Sequence, residues 1–264
     1  VLTRLVEVIN NPHSSALDLK NLIQIDPPLA ARVLKRANSA YYGAKRRMVE
    51  ILDAIVCIGF EAVKELALSQ KVCELFSRSE GLHDYSRSDL WMHSVAAALC
   101  AKMIYRRELR LPGGDVYTAG LLHDIGVIVE DQFAHEDFVA VLNLKRETNC
   151  TLQQAEEQIM GFTHAAIGGR LGELWSLPEE LCEVILLDDQ PLRDGILPSR
   201  MASTLYIANC ACREWKLGYR ESPRLDRSMY NACLQELGIS ELGIEALRDE
   251  VVDHISQMKK DGWF

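Results

Sequence analysis

Ala119-Gly120-Leu121-Leu122-His123-Asp124-Ile125-Gly126 sets an imidazole beside a carboxylate inside an otherwise apolar run. On a helix buried on most sides, such a pair is costly unless something nearby satisfies both groups. A divalent ion would do so, because it accepts a neutral imidazole nitrogen together with a hard carboxylate oxygen and draws further ligands from other helices. A buried hydrogen-bonded cluster that locks helices together without an ion would also do so. His93, in Leu90-Trp91-Met92-His93-Ser94, is the natural second contributor. Gly120 and Gly126 bracket the pair and permit close approach of neighbouring helices. Asp115, after Pro112-Gly113-Gly114, reads as the N-cap of one helix over about 114–131 that carries the pair.

Helical periodicity extends outward from this stretch in both directions, and alternating runs of period two are nearly absent. In Ile25-Asp26-Pro27-Pro28-Leu29, Asp26 is a natural N-cap and Pro27 suits the first helical position. Leu29, Val33 and Leu34, with Ala30 and Ala37, form the apolar face of that helix, which Asn38-Ser39 ends as a turn. Further helices are predicted at about 50–57, 60–77, 87–107, 133–148, 151–159, 162–175, 178–188, 197–214, 227–237 and 240–258. The fold class is therefore all-α, a multi-helix bundle with an N-terminal helical subdomain. The polar stretch Ser77 to Ser86 separates two strongly helical blocks, giving an N-terminal subdomain over 1–85 and a second over 86–264.

Composition narrows the function classes. With 48% hydrophobic and 25% charged residues over 264 positions, the chain can bury a substantial core. A net charge of −9 offers no global positive field to attract a polyanion, so nucleic acid is not an expected partner. Lys45-Arg46-Arg47 is the one compact basic cluster, and it reads as a solvated loop rather than a phosphate site. Eight scattered cysteines without a CxxC pair fit buried, reduced thiols better than a disulfide framework. No apolar run approaches the roughly 18 residues of a spanning helix, and no basic-then-apolar leader opens the chain, so a cytoplasmic protein away from membranes is expected. The chain starts at Val1 without methionine, as a piece trimmed from a longer protein would. His13, His83, His135 and His254 lack ligand spacing with the core set and read as surface or capping residues.

His93 followed by Gly120-Leu121-Leu122-His123-Asp124-Ile125-Gly126 resembles the first half of the HD superfamily of metal-dependent phosphohydrolases. Ile25 to Ala40, then Asp53-Ala54-Ile55 and Ile58-Gly59, resembles the HDOD family, the HD-related output domains of bacterial signalling proteins. Trp91-Met92-His93-Ser94 and Leu174-Trp175-Ser176-Leu177-Pro178 are similar to it as well, so the resemblance covers nearly the whole chain. It implies an HD-like helical bundle and a tentative metal set of His93, His123, Asp124 and Asn209, with His164, Asp188 and Asp189 lining the pocket. The ion implied is a weakly held Fe, Mn, Zn or Ni.

Departures from the enzymatic relatives are specific. Phosphodiesterases of the HD-GYP type carry a lysine directly after the HD-x-G stretch; Val127 stands there, and a cation for a scissile phosphate is missing. Where those enzymes bring paired histidines, this chain has Asp188-Asp189-Gln190-Pro191. The final aspartate ligand is replaced by Asn209, which removes a negative charge and should weaken retention of a divalent ion. No catalytic residue is assigned. The implied function is a signal-transduction output or scaffold domain without catalysis, bound to a response regulator, sensor kinase or cyclic-dinucleotide enzyme. A metal-dependent phosphohydrolase with an altered site and a non-hydrolysing nucleotide sensor are the alternatives.

Overall fold

The structure, a computed structural model, describes residues 2–11, 13–39, 42, 47–75, 85–188, 199–218 and 226–260. Among the described residues it is helical throughout, with no strand. The helices are α1 (Leu2–Asn10), α2 (Ala16–Gln24), α3 (Pro27–Ala37), α4 (Ile51–Ile58), α5 (Phe60–Leu75) and α6 (Arg87–Met103). A π-helical turn, Ile104–Glu108, extends α6, and α7 (Gly114–Leu122), α8 (Ile125–Phe133), α9 (His135–Thr148) and α10 (Leu152–Ile159) follow. The remainder is α11 (His164–Leu174), α12 (Glu179–Leu186), α13 (Arg200–Glu214), α14 (Arg227–Leu237), α15 (Glu241–Glu245) and α16 (Arg248–Lys260). None of the described helices is long and apolar enough to cross a membrane.

Two compact units are present. The first comprises residues 1–74 together with Trp175–Leu177, and the second comprises 75–174 with 178–264. In the first unit Leu5, Leu19, Ile23, Leu29, Val33, Ile55 and Val63 form the core. Asp26 caps α3 as the sequence predicts, its Oδ1 accepting from the Leu29 amide at 3.1 Å. Its other oxygen pairs with the buried Lys71 of α5, so one carboxylate both starts α3 and ties it to α5. Asn38 ends α3 and accepts from the Met48 amide at 2.7 Å while donating to the Met48 carbonyl at 2.9 Å. Helices α1 and α2 are absent from the sequence prediction, although Ser15 and Asp18 form a reciprocal capping box at the start of α2.

In the second unit α6 packs against α7 and α13, and α11 packs against α8 and α12. Three expectations need correction here. The helix predicted over 114–131 is two helices, broken at His123-Asp124. Gly113 rather than Asp115 precedes the first helical residue of α7, and Asp115 lies within the first turn. The last predicted helix is divided into α15 and α16. None of the eight cysteines is disulfide-bonded, and five are buried, as expected. Arg47 is exposed, whereas Lys45, Arg46, His83 and Asp189 lie outside the described residues.

Candidate metal centre

The break between α7 and α8 explains how adjacent residues can face one centre. His123 is the C-terminal flank of α7, and its Nδ1 lies 2.7 Å from the Gly120 carbonyl, to which it can only donate. It thereby satisfies one of the carbonyls that every helix end leaves without an internal partner. Asp124 is the N-terminal flank of α8, yet its carboxylate makes no capping bond there. The carboxylate turns instead toward three imidazoles, with Oδ2 at 3.1 Å from His123 Nε2 and 3.9 Å from His93 Nε2. Its Oδ1 is 3.9 Å from His164 Nε2.

Each histidine is held from behind. His164, the first residue of α11, donates from Nδ1 to Glu156 Oε1 at 2.8 Å, and its backbone amide donates to Glu156 Oε2 at 2.9 Å. His93 lies on α6 with Nδ1 at 3.4 Å from the Leu217 carbonyl and Nε2 at 2.8 Å from Asn209 Oδ1. Asn209, on α13, donates its amide to both oxygens of Asp188 at 3.1 and 3.2 Å. Its Oδ1 must therefore face His93, whose proton sits on Nε2 in this arrangement. Backbone close approaches support these placements. A Cβ on Gly126 would fall 1.9 Å from the His164 carbonyl oxygen, and one on Gly218, at φ +91°, would fall 2.4 Å from the His93 amide nitrogen. The buried Arg87–Asp131 ion pair, at 2.6 Å, fixes α8 to α6.

Electrostatics at His123 call for a cation. With Nδ1–H committed to Gly120, a neutral ring would aim the Nε2 lone pair at a carboxylate oxygen 3.1 Å away, and Nε2 has no hydrogen-bond partner. A proton or a metal ion between the two relieves that opposition. Burial alone would push the His123 pKa down, but Asp124 and Asp188 hold it up to about 9, so a proton fills the place when nothing else does. Burial would raise the Asp124 pKa, and the surrounding imidazoles instead hold it well below the usual carboxylate range. His93, whose burial outweighs Asp124, is pushed down to about 4 and stays neutral.

The donor set therefore fits a divalent ion. Ligand atoms of His93, His123 and Asp124 lie within 4.8 Å of one another, and so do those of Asp124, His164 and Asp188. Three imidazoles whose other nitrogens face carbonyls or a carboxylate match the usual outer support of metal-bound histidine. The structure brings His93, His123, Asp124, His164, Asp188 and Asn209 together, while Asp189 lies outside the described residues. Sequence reasoning missed Glu156, the support of His164, and Glu130, buried beside it. Their signal was slight: each is the first of two adjacent acids, Glu130-Asp131 and Glu156-Glu157, which read as a solvated helix face.

An uncharacterized protein of Treponema pallidum (strain Nichols) is 24% identical over 226 residues, covering 84% of this chain and 43% of its own length. The chain thus spans less than half of that relative. A crystal structure of an HDOD domain protein of unknown function from Geobacter sulfurreducens is 29% identical, with a TM-score of 0.80, covering all of this chain and 91% of that one. The MmoQ response regulator of Methylococcus capsulatus str. Bath is 25% identical with a TM-score of 0.51, covering 93% of this chain and 96% of that one. The HDOD domain profile matches residues 1–191, well over half of the 264. The chain belongs to the HDOD domain family.

Proposed function

We propose that this chain is a signal-transduction domain that recognises a partner protein and does not hydrolyse a phosphoester, its polar centre serving as a divalent-ion site that ties helices together. The observation that carries this reading is enclosure. His93, His123, His164, Asp188 and Asn209 are each at most 2% exposed, and Asp124 only 5%. A phosphoester needs a face of the ion and a route to it, and a sealed donor set offers neither. Val127 and Asn209 stand where the enzymatic relatives carry lysine and aspartate, which supports the same reading. Likeness to a response regulator favours a place in signal transduction.

His93, His123 and Asp124 would hold the ion, with Asn209 and the His164 and Asp188 side next to them. When bound, the ion supplies positive charge that offsets the buried carboxylates. The protein's part is orientation: Gly120 fixes the proton of His123 on Nδ1, and Glu156 does the same for His164. His93 would have to move its proton to Nδ1, where the Leu217 carbonyl can receive it. The convergence of three histidines on one aspartate also favours a second reading, an altered phosphohydrolase.

Elemental mass spectrometry of purified protein, before and after mild chelation, tests the ion site. Near-stoichiometric Fe, Mn, Zn or Ni in the wild type and its loss in Asp124→Ala is the expected result. The metal-loaded wild type should hydrolyse neither cyclic dinucleotides nor bis-nitrophenyl phosphate. Turnover that Asp124→Ala abolishes would replace the signalling reading with the hydrolase.

A further inference from the structure

Helix α4 is apolar almost all round. Its sequence, Ile51-Leu52-Asp53-Ala54-Ile55-Val56-Cys57-Ile58, carries a single charge, and a helix of that composition ordinarily lies wholly inside a core. Here only one face does. Ile51, Ala54 and Ile55 are buried, and α4 packs on α2 and α3. On the open side Leu52 is 38% exposed and Val56, one turn on, is 77% exposed, while Val49, just before the N-cap residue Glu50, is 71% exposed. Single apolar residues scattered over a surface are ordinary, but three along one short element form a face suited to a partner.

Asp53 decides what can cover that face. It is exposed, adjacent to Leu52 and three residues from Val56, and so shares their arc of the helix. Among the described residues it makes no ion pair. An occupant that covers Leu52 and Val56 takes this carboxylate out of water as well, which is costly unless the occupant brings a group of opposite charge. A second copy of the chain fails that condition. The exposed apolar residues run from Val49 to Val56, so a two-fold axis centred on them passes beside residues 52 and 53 and sets one Asp53 against the other. An anionic lipid surface fails it too, because helices that lie on such a surface present Lys and Arg, and this one presents Glu50 and Asp53.

We propose that the exposed face of α4, with Val49, Leu52 and Val56 around Asp53, docks an amphipathic helix of a partner protein that sets a Lys or Arg against Asp53 between its own apolar residues. The inference rests on the reading of this chain as a partner-recognising domain and names the surface and the partner's chemistry. An amphipathic helix offers anchors at i, i+3 or i+4 and i+7, which suits the spacing of the face it meets. Exposed Glu50, whose side chain makes no capping bond, adds a second acid at the N-terminal end of the helix. The nearest base in sequence, Arg47, precedes Val49 and lies outside the helix.

The test uses the full chain and a phage-displayed library of single helices randomised along one face. Selected binders should combine apolar residues at helical spacing with Lys or Arg. In methyl NMR they should shift the resonances of Val49, Leu52 and Val56 and leave those of the second unit in place. Val56→Lys should keep the helical spectrum and weaken the binders by about tenfold or more, the loss expected of a central anchor. Asp53→Lys should also keep the spectrum, weaken the basic binders and, in a repeated selection, return acidic helices in their place. A library that yields no binder, binders without a base, or shifts that fall elsewhere overturn the proposal. Dimerisation of the wild type that Val56→Lys abolishes overturns it in favour of a second copy. Phosphoester turnover lost in Asp124→Ala would overturn the signalling reading, whereas binders of the wrong charge or at the wrong place overturn only the assignment of α4.

Discussion

At the scale of single residues, the centre works by assigning protons. Gly120 and Glu156 each claim the Nδ1 proton of a histidine, and Asp124 is left facing the opposite nitrogens. Glu130 gives this arrangement a pH signature. Its carboxyl ionises near 4.5 when unfolded and holds its proton up to about 9 when folded. Between those values the native state binds one more proton than the unfolded chain, so the group's contribution to stability is fully present below 4.5 and is lost as pH rises toward about 9. Urea unfolding should therefore show Glu130→Gln gaining on the wild type as pH rises, by at most about 1.4 kcal/mol per pH unit. Shifts at His93, His123 and Asp124 are common to both proteins and drop out of the difference; parallel pH curves would refute the assignment of the proton. His93, His123 and Asp124 were legible in the sequence because polar groups in an apolar run are conspicuous. Glu130 and Glu156 were not, because adjacent acids on a helix, Glu130-Asp131 and Glu156-Glu157, look turned to solvent, and only tertiary packing removes Glu130 from water.

At the scale of elements, the instructive place is the break after α7. Periodicity runs through 114–131 without interruption, so the sequence reads as one helix, while the structure ends α7 with the His123 side chain and starts α8 after Asp124. The cause is tertiary: Gly126 brings the first turn of α8 against the His164 carbonyl, closer than any side chain allows. Gly126→Ala must push α8 and α11 apart, since the atom it meets is backbone. A loss of about 3 kcal/mol or more is expected in thermal unfolding, with weaker ion uptake in the protein that remains folded. Gly169→Ala on α11 meets nothing nearer than 3.4 Å and should stay within about 1 kcal/mol of the wild type. Equal effects of the two substitutions would show that helix propensity, not close approach, governs this joint. Local signals carried α3 well, because Asp26 and Pro27 act within a single turn. They were equally present at α1, where Leu2, Leu5, Val6 and Ile9 keep the i, i+3, i+4, i+7 spacing of a helix face, and the sequence prediction passed over them.

At the scale of the molecule, all the donors belong to the second unit, on α6, α11, α13, the α7–α8 break and the second residue after α12. An ion that binds only the native state at about 100 times its dissociation constant adds about 2.7 kcal/mol. Hydrogen exchange with and without Mn(II) should show that protection in α6, α8, α11 and α13, while α2, α3 and α4 exchange unchanged. Uniform slowing across both units would contradict the placement of the site. The all-α class was legible over the whole chain, but the assembly of the centre was not, because it depends on partners far apart in sequence. His93 and Asn209 touch at 2.8 Å across a separation of 116 residues. That distance along the chain has a consequence during biosynthesis. At about 5–20 residues per second, several seconds pass between the emergence of Asp124 and that of Asn209 from the ribosome. Through that interval the nascent protein displays His93, His123 and Asp124, joined midway by His164, with no closing wall, and whatever ion the cell offers then meets a half-built vessel.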